Sequence, residues 1–228
     1  MSQSSFCTWW EHFFISQFLH SIIALEKTKR MLLNVPEIAL GNIKFQNILT
    51  GVIFITLLLV TEAFARSELE IIKKNISANV IFLRHALAPG VGDPENFIKE
   101  DCSTQRNLND KGRLQARLIG NYLRSTNLKF SQILTSEWCR CIDTAKELNL
   151  GQWTTFSGLN SFFQEYEKKD QVMNKLQKKL DSLGYSDLAL FVTHQVVISE
   201  QTGIVPKSGE MVLYNSITKQ KARYMINY

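Results

Sequence analysis

The sequence predicts an α/β domain, a three-layer sandwich in which a mostly parallel central sheet carries helices on both faces. Three observations predict it. Short apolar runs such as Asn79-Val80-Ile81-Phe82-Leu83 read as strands buried on both faces. Stretches with apolar residues at helical spacing separate those runs. Strand and helix alternate, the order that closes parallel pairs through crossover connections.

Residues 1–65 read as a leader and 66–228 as the domain. No charged residue occurs from Phe45 to Thr61; Lys44 precedes that run and Ala63-Phe64-Ala65 follows it. A basic residue, a short apolar run and a small-x-small triplet form the pattern of a secretory signal peptide. The run is shorter than the roughly 20 residues of a comfortable membrane span. The expectation is export to the periplasm with cleavage after Ala65. The alternative is an uncleaved inner-membrane anchor over residues 45–61, the one tie to a membrane that the sequence offers. Counted from Met1 such a leader is long, whereas a start at Met31 gives a usual length.

Within the domain, Ser67 to Ala78 reads as a polar, partly helical lead-in. The first apolar run stops at Arg84-His85 and passes into a loop, Ala86 to Thr104, rich in Gly, Pro and Asp. Asn109-Asp110 can cap a helix whose apolar stripe is Leu114, Leu118, Ile119, Tyr122 and Leu123. Phe130 to Thr135 is a second strand. Ser136 is expected to cap the next helix, which carries Ile142, Ala145 and Leu148 with Gly151 beyond its end. Val172, Met173, Leu176, Leu180 and Leu183 form another helical stripe, ended by Gly184. Leu188 to Val192 is a third strand, again followed closely by a His, and 211–214 and 222–226 can supply further strands.

The chain has 228 residues, 45% hydrophobic and 21% charged, enough apolar material for a real core. Its formal net charge of +5 suits an anionic substrate. No long Lys/Arg run points to nucleic acid. Cys7 lies in the leader, and Cys102, Cys139 and Cys141 allow one disulfide and one free thiol. Cys139 and Cys141 around Arg140 are too few ligands for a zinc site, so no metal and no cofactor are expected.

The domain keeps two histidines, His85 and His194, and each ends an apolar strand candidate. In such sheets ligands bind beyond the carboxyl ends of the strands. Neutral imidazole is a good nucleophile with a pKa near working pH. Arginine forks and a second His can hold the charge that spreads over a phosphoryl group in transfer. Arg140 falls in the first turn of its helix, where the free N–H groups add positive field.

These residues resemble a known family. Leu83-Arg84-His85-Ala86 is similar to the L-R-H-G signature of the histidine phosphatase superfamily, which includes the phosphoglycerate mutases. The run from Ser136 to Ala145 resembles its S-x-x-x-R-x-x-x-T-A element, and Leu108 to Ala116 resembles its L-T-x-x-G-x-x-Q-A stretch. Val192-Thr193-His194 resembles the strand that ends in its second catalytic His. The resemblance implies that His85 accepts the phosphoryl group and that Arg84, Arg140 and His194 hold its oxygens. Arg106 resembles an Arg of the small phosphohistidine-phosphatase branch that also reaches the phosphate. Two positions depart from the pattern. Ala86 stands for the usual Gly, and the stretch that should carry a proton-donating Glu reads Leu159-Asn160-Ser161. Glu210, in a loop beside the His194 strand, is the expected substitute acid, with Glu165 the second candidate. The implied activity is metal-independent hydrolysis of a small phosphomonoester through a phosphohistidine. The alternatives are a mutase-type phosphotransferase and a catalytically inactive phosphate-binding module.

Overall fold

The computed structural model describes residues 67–226. The leader expected over residues 1–65 lies outside the described residues. They hold five helices and six strands. Helix α1 (Glu68–Asn75) opens on a capping box in which Ser67 and Glu70 satisfy each other's backbone N–H. Strand β1 (Val80–Arg84) follows, and a long loop leads to helix α2 (Asp110–Ser125), capped by the Asn109 side chain as the sequence predicts. Then come β2 (Gln132–Thr135), α3 (Cys139–Leu148), a two-residue β3 (Thr154–Thr155) and α4 (Lys169–Asp181). Strand β4 (Ala189–Thr193), helix α5 (Gln195–Thr202), β5 (Met211–Tyr214) and β6 (Lys221–Tyr224) complete the domain.

The six strands form one sheet in the order β3-β2-β4-β1-β5-β6. The pairs among β1, β2, β3 and β4 are parallel, and β5 and β6 add antiparallel strands at the other side. The two central strands are buried throughout, Arg84 at the end of β1 excepted, because alternate residues feed two cores. Ile81, Leu83, Leu190 and Val192 face α1, α2 and α3. Val80, Phe82, Ala189 and Phe191 face α4 and α5. This is the three-layer sandwich the sequence predicts, with each fully buried side chain of this size stabilising the fold by about 1.5–3 kcal/mol. No helix among the described residues is long and apolar enough to cross a membrane.

Ser136 does not cap α3. That helix starts at Cys139 with Trp138 in the capping position and no side-chain cap bond. The Ser136 hydroxyl is engaged elsewhere, with His194 and Asn160. The left-handed residue that ends α3 is Asn149, at φ 49°, ahead of Gly151.

Two glycines of α2 set how closely the chain approaches it. A Cβ at Gly120 would lie 2.0 Å from the Leu148 carbonyl oxygen, and one at Gly112 would lie 2.0 Å from that of Leu87. Glycine at 120 lets α2 settle against the end of α3. Glycine at 112 lets the segment just after β1 lie against the start of α2.

Candidate active site

The sheet register brings the two histidines together. Arg84 pairs with Thr193 at the ends of β1 and β4, so His85 and His194 leave adjacent strands side by side. The His85 N–H still bonds the Thr193 carbonyl at 2.9 Å, and the Ser136 N–H bonds that of Val192 at 3.0 Å. The imidazoles meet edge to face with centroids 5.5 Å apart.

His85 Nδ1 lies 2.8 Å from the Ala86 carbonyl oxygen. A carbonyl only accepts, so Nδ1 carries the proton and Nε2 the lone pair. The same segment is pinned by Thr144: the Ala86 N–H donates to Thr144 Oγ1 at 3.0 Å, and that hydroxyl donates to the Arg140 carbonyl. Ala86 packs with Ala88, Leu108 and Ala116, so a methyl group fits where the family pattern has Gly. Burial first, and the Arg140 charge second, hold both imidazoles well below their ordinary pKa of 6.5. Both are therefore neutral at pH 7, and His85 Nε2 is free to act as a nucleophile.

Three arginines surround the pair. Arg84 Nη1 donates to the Pro206 carbonyl at 2.8 Å, and its Nε is sealed from solvent without a partner. Arg140 lies in the first turn of α3, and its Nε is likewise buried and unpartnered. Arg106 Nε donates to the Gly92 carbonyl at 2.7 Å and its Nη1 to that of Ala88. Burial and the neighbouring Arg140 charge push Arg106 down to about 10. Arg84 is lowered by burial and by Arg140 as well. Cations that depress one another this way mark a place that favours an anion.

The structure adds a residue the sequence reading missed. The Asp93 carboxylate accepts from Arg140 Nη1 at 2.8 Å and Nη2 at 3.2 Å, from Trp138 Nε1 at 3.1 Å and from the Arg106 N–H at 3.0 Å. Both side chains of the Arg140–Asp93 pair are only 3% exposed. Gln164, in left-handed backbone at φ 65°, clasps Asp93 from outside: its amide accepts the Asp93 N–H and donates to the Asp93 carbonyl. The same loop is joined to α3 by a disulfide between Cys102 and Cys139 and by the Cys139 N–H donating to Gln105 Oε1. The signal for Asp93 was physical rather than positional: an Arg buried in a helix turn needs a counter-charge, and the loop Gly92-Asp93-Pro94 holds one.

Among the described residues Cys141 is the free thiol, buried, with its sulfur 3.5 Å from His194 Nε2; burial pushes it up to about 12. Trp138 sets its ring edge against His194, 5.6 Å between centroids, and stacks on Phe97.

Glu210 borders the site through its backbone and has its carboxylate engaged elsewhere. Its backbone carbonyl accepts from the Arg84 N–H, so it borders the site. Its carboxylate, however, takes Arg223 Nε at 2.6 Å and the Lys207 N–H at 2.7 Å. Burial alone would raise its pKa, but Arg223 and the Lys207 amide outweigh that and hold it below the ordinary value. A carboxylate so held has no proton to give at neutral pH. Glu165 sits exposed at φ 61° in the turn Phe163–Glu165. Among the described residues no cluster of three or more His, Cys, Asp or Glu side chains could hold a metal.

No curated protein matches the sequence. Among solved structures, the chain is similar to the protein histidine phosphatase SixA complexed with tungstate, at 17% identity over 64% of this chain and 94% of that one, TM-score 0.44. It is similar to the product of an open reading frame of Mycobacterium tuberculosis, at 18% identity over 64% of this chain and 95% of that one, TM-score 0.46. A protein of Thermus thermophilus matches at 13% identity over 60% of this chain and 92% of that one, TM-score 0.43. The family model of the histidine phosphatase superfamily (branch 1) matches residues 80–187. That span runs from the first residue of β1 to just before β4 and includes Arg84, His85, Arg106 and Arg140. The motif residues inside it meet at one edge of an α/β sheet, and it is over residues 80–187 that the chain is recognised as histidine phosphatase superfamily (branch 1).

Proposed function

We propose that the domain is a metal-independent phosphomonoester hydrolase that works through a phosphohistidine on His85. One observation carries this reading: a buried, neutral His85 with its Nε2 lone pair free, beside two guanidinium groups whose Nε–H donors are sealed and unpartnered. A buried donor without an acceptor costs about 1–3 kcal/mol, more on a charged group. Two such donors at one place are accounted for when a tetrahedral anion brings them its oxygens. Asp93 occupies the outer ends of the Arg140 fork and leaves the Nε side for that anion. In the reaction His85 Nε2 attacks phosphorus, the ester P–O bond breaks, and the arginines and His194 hold the equatorial oxygens. Water then cleaves the N–P bond.

A second reading is a phosphate-binding module without turnover. It is favoured by the stretch Leu159-Asn160-Ser161, which lacks the expected acid, and by Glu210 being tied to Arg223. Hydrolysis of nitrophenyl phosphate in EDTA, measured beside His85→Ala, separates the two. The hydrolase reading expects turnover in the chelator that His85→Ala abolishes. Equal activity of His85→Ala, or loss on chelation restored by zinc or magnesium, would overturn it. We also read the domain as exported. The Cys102–Cys139 disulfide supports this, since disulfides persist in oxidising compartments. N-terminal sequencing of the cell-envelope form should begin at Arg66.

A further inference from the structure

Asn160 lies in the stretch Leu159-Asn160-Ser161, where the resemblance expects a carboxylic acid, and it is fully buried. Its Nδ2 donates to Glu137 Oε2 at 2.6 Å and to Glu167 Oε1 at 3.2 Å. Lys99 bridges those two carboxylates at 3.2 Å each, so both are acceptors only. The amide is thereby oriented. Oδ1 is the atom turned inward, and it takes the Glu137 N–H at 2.9 Å and the Ser136 hydroxyl at 3.1 Å. The single hydroxyl proton of Ser136 goes to Asn160. Ser136 Oγ is left to accept from the His194 ring, whose Nε2 is 2.8 Å away. His194 therefore carries its proton on Nε2 and its lone pair on Nδ1. His85 is the reverse, with its proton on Nδ1 and its lone pair on Nε2. The adjacent rings thus offer one basic nitrogen each, and neither nitrogen has a hydrogen-bond partner among the described residues.

We propose that Asn160, acting through Ser136, is a positioning residue that keeps the His194 proton on Nε2. His194 Nδ1 then carries the proton to the leaving oxygen that a carboxylic acid would otherwise supply. This rests on the phosphatase reading. A phosphomonoester monoanion brings one proton on a phosphoryl oxygen, and Nδ1 takes it on binding. As His85 Nε2 forms the N–P bond and the ester P–O bond breaks, Nδ1 gives that proton to the departing oxygen, which leaves as the alcohol. In the second half, water delivers its hydroxyl to phosphorus and its remaining proton to Nδ1, and that proton leaves with the phosphate as its monoanion. The electron pair of the N–P bond returns to His85 Nε2. The groups around the ring fit this traffic. Arg84 and His85 at the end of β1, Arg106 in the loop, and Arg140 and Cys141 on α3 offer no carboxylate to compete for the proton.

Long-range proton–nitrogen NMR of the folded protein reads the tautomer directly. His194 should show a protonated Nε2 and a bare Nδ1, and His85 the opposite. In Asn160→Ala the Ser136 hydroxyl is free to donate to Nε2, so the His194 proton should move to Nδ1. The same variant should lower kcat for glycerol phosphate by about 10²-fold, with KM little changed, and leave nitrophenyl phosphate within a few-fold, because a good leaving group needs little protonation. Ser136→Ala should show the same substrate selectivity. A wild-type His194 protonated at Nδ1, or equal losses on both substrates, overturns the proposal; the wild-type spectrum decides even where a variant does not fold. Absence of wild-type turnover on either ester sinks the phosphatase reading and the proton transfer with it. The tautomer assignment still tests the positioning by Asn160.

Discussion

Replacing Asp93 by alanine is the sharpest test of how the site is held. The carboxylate and its Arg140 partner are each 3% exposed, and the pair is doubly hydrogen-bonded. Removing one member of a buried pair leaves the other charge uncompensated, which costs about 3–5 kcal/mol. The Trp138 and Arg106 N–H groups also lose their acceptor, but water entering the vacated space should satisfy part of that, so the total should stay in the same range. That is a large share of the roughly 5–15 kcal/mol by which a domain is stable. With a urea slope of about 2 kcal/mol per M, the unfolding midpoint should fall by about 2 M. Asp93→Asn is the informative companion. It keeps the volume but turns an amide donor toward Arg140 or Trp138, so it should lose most of the same stability. Both variants should also raise KM, since Arg140 is no longer anchored. A loss under about 1 kcal/mol for either variant would refute the argument that Asp93 is the counter-charge on which Arg140 depends.

Stability should be level above pH 6.5 and fall below it. In the unfolded chain His85 and His194 take up protons from 6.5 downward, while in the fold both stay neutral, so each contributes a slope of up to about 1.4 kcal/mol per pH unit as the pH drops. Denaturant titrations between pH 5 and 7 should lose part of that slope in His194→Gln, and an unchanged slope would count against the burial argument. Gly112→Ala should destabilise despite a helix-propensity gain of about 1 kcal/mol, because its Cβ meets the Leu87 carbonyl two residues past His85; a more stable, fully active variant would contradict that close approach. Reducing the Cys102–Cys139 bond, whose ends are 37 residues apart, should lower stability by about 4 kcal/mol at most, read as the midpoint shift with and without reductant. Cys141 should resist alkylation until the domain unfolds.

The central strands were legible because both their faces are buried, which makes Val80–Leu83 and Ala189–Val192 unbroken apolar runs. The histidines were legible for the same reason, since each stands where such a run stops. The loop between β1 and α2 was legible only as a loop. The side-chain partners of its carboxylate, its disulfide and its contact with Gln164 all involve residues 37 to 71 positions away, and no local pattern reports such pairings. Three cysteines could not reveal which two would pair. The partner of the Glu210 carboxylate was not legible, because position beside a strand end says nothing about what the side chain meets. Arg223 lies on the next strand, opposite Val212, and captures it. Ser136 has the chemistry of a helix cap, and the pull of His194 and Asn160 could not be weighed without knowing that they converge there.

The first turn of α3 sends three consecutive residues to three different destinations. Cys139 goes to the disulfide, Arg140 to Asp93 and the anion position proposed above, and Cys141 to the ring of His194. Successive side chains on a helix are rotated by about 100° from one another. That turn therefore works like a keyed shaft with a single working phase. Adding or removing one residue between Ser136 and Cys139 would force a choice: either the whole helix turns by about 100°, carrying Cys141, Ala145 and Leu148 away from the core along with the other two side chains, or the helix stays put and the link from β2 takes the strain. Length changes in the stretch from Asn149 to Trp153, which carries none of these keys, should cost far less. Spacing before α3 is thus as much a part of this site as the identity of any residue in it.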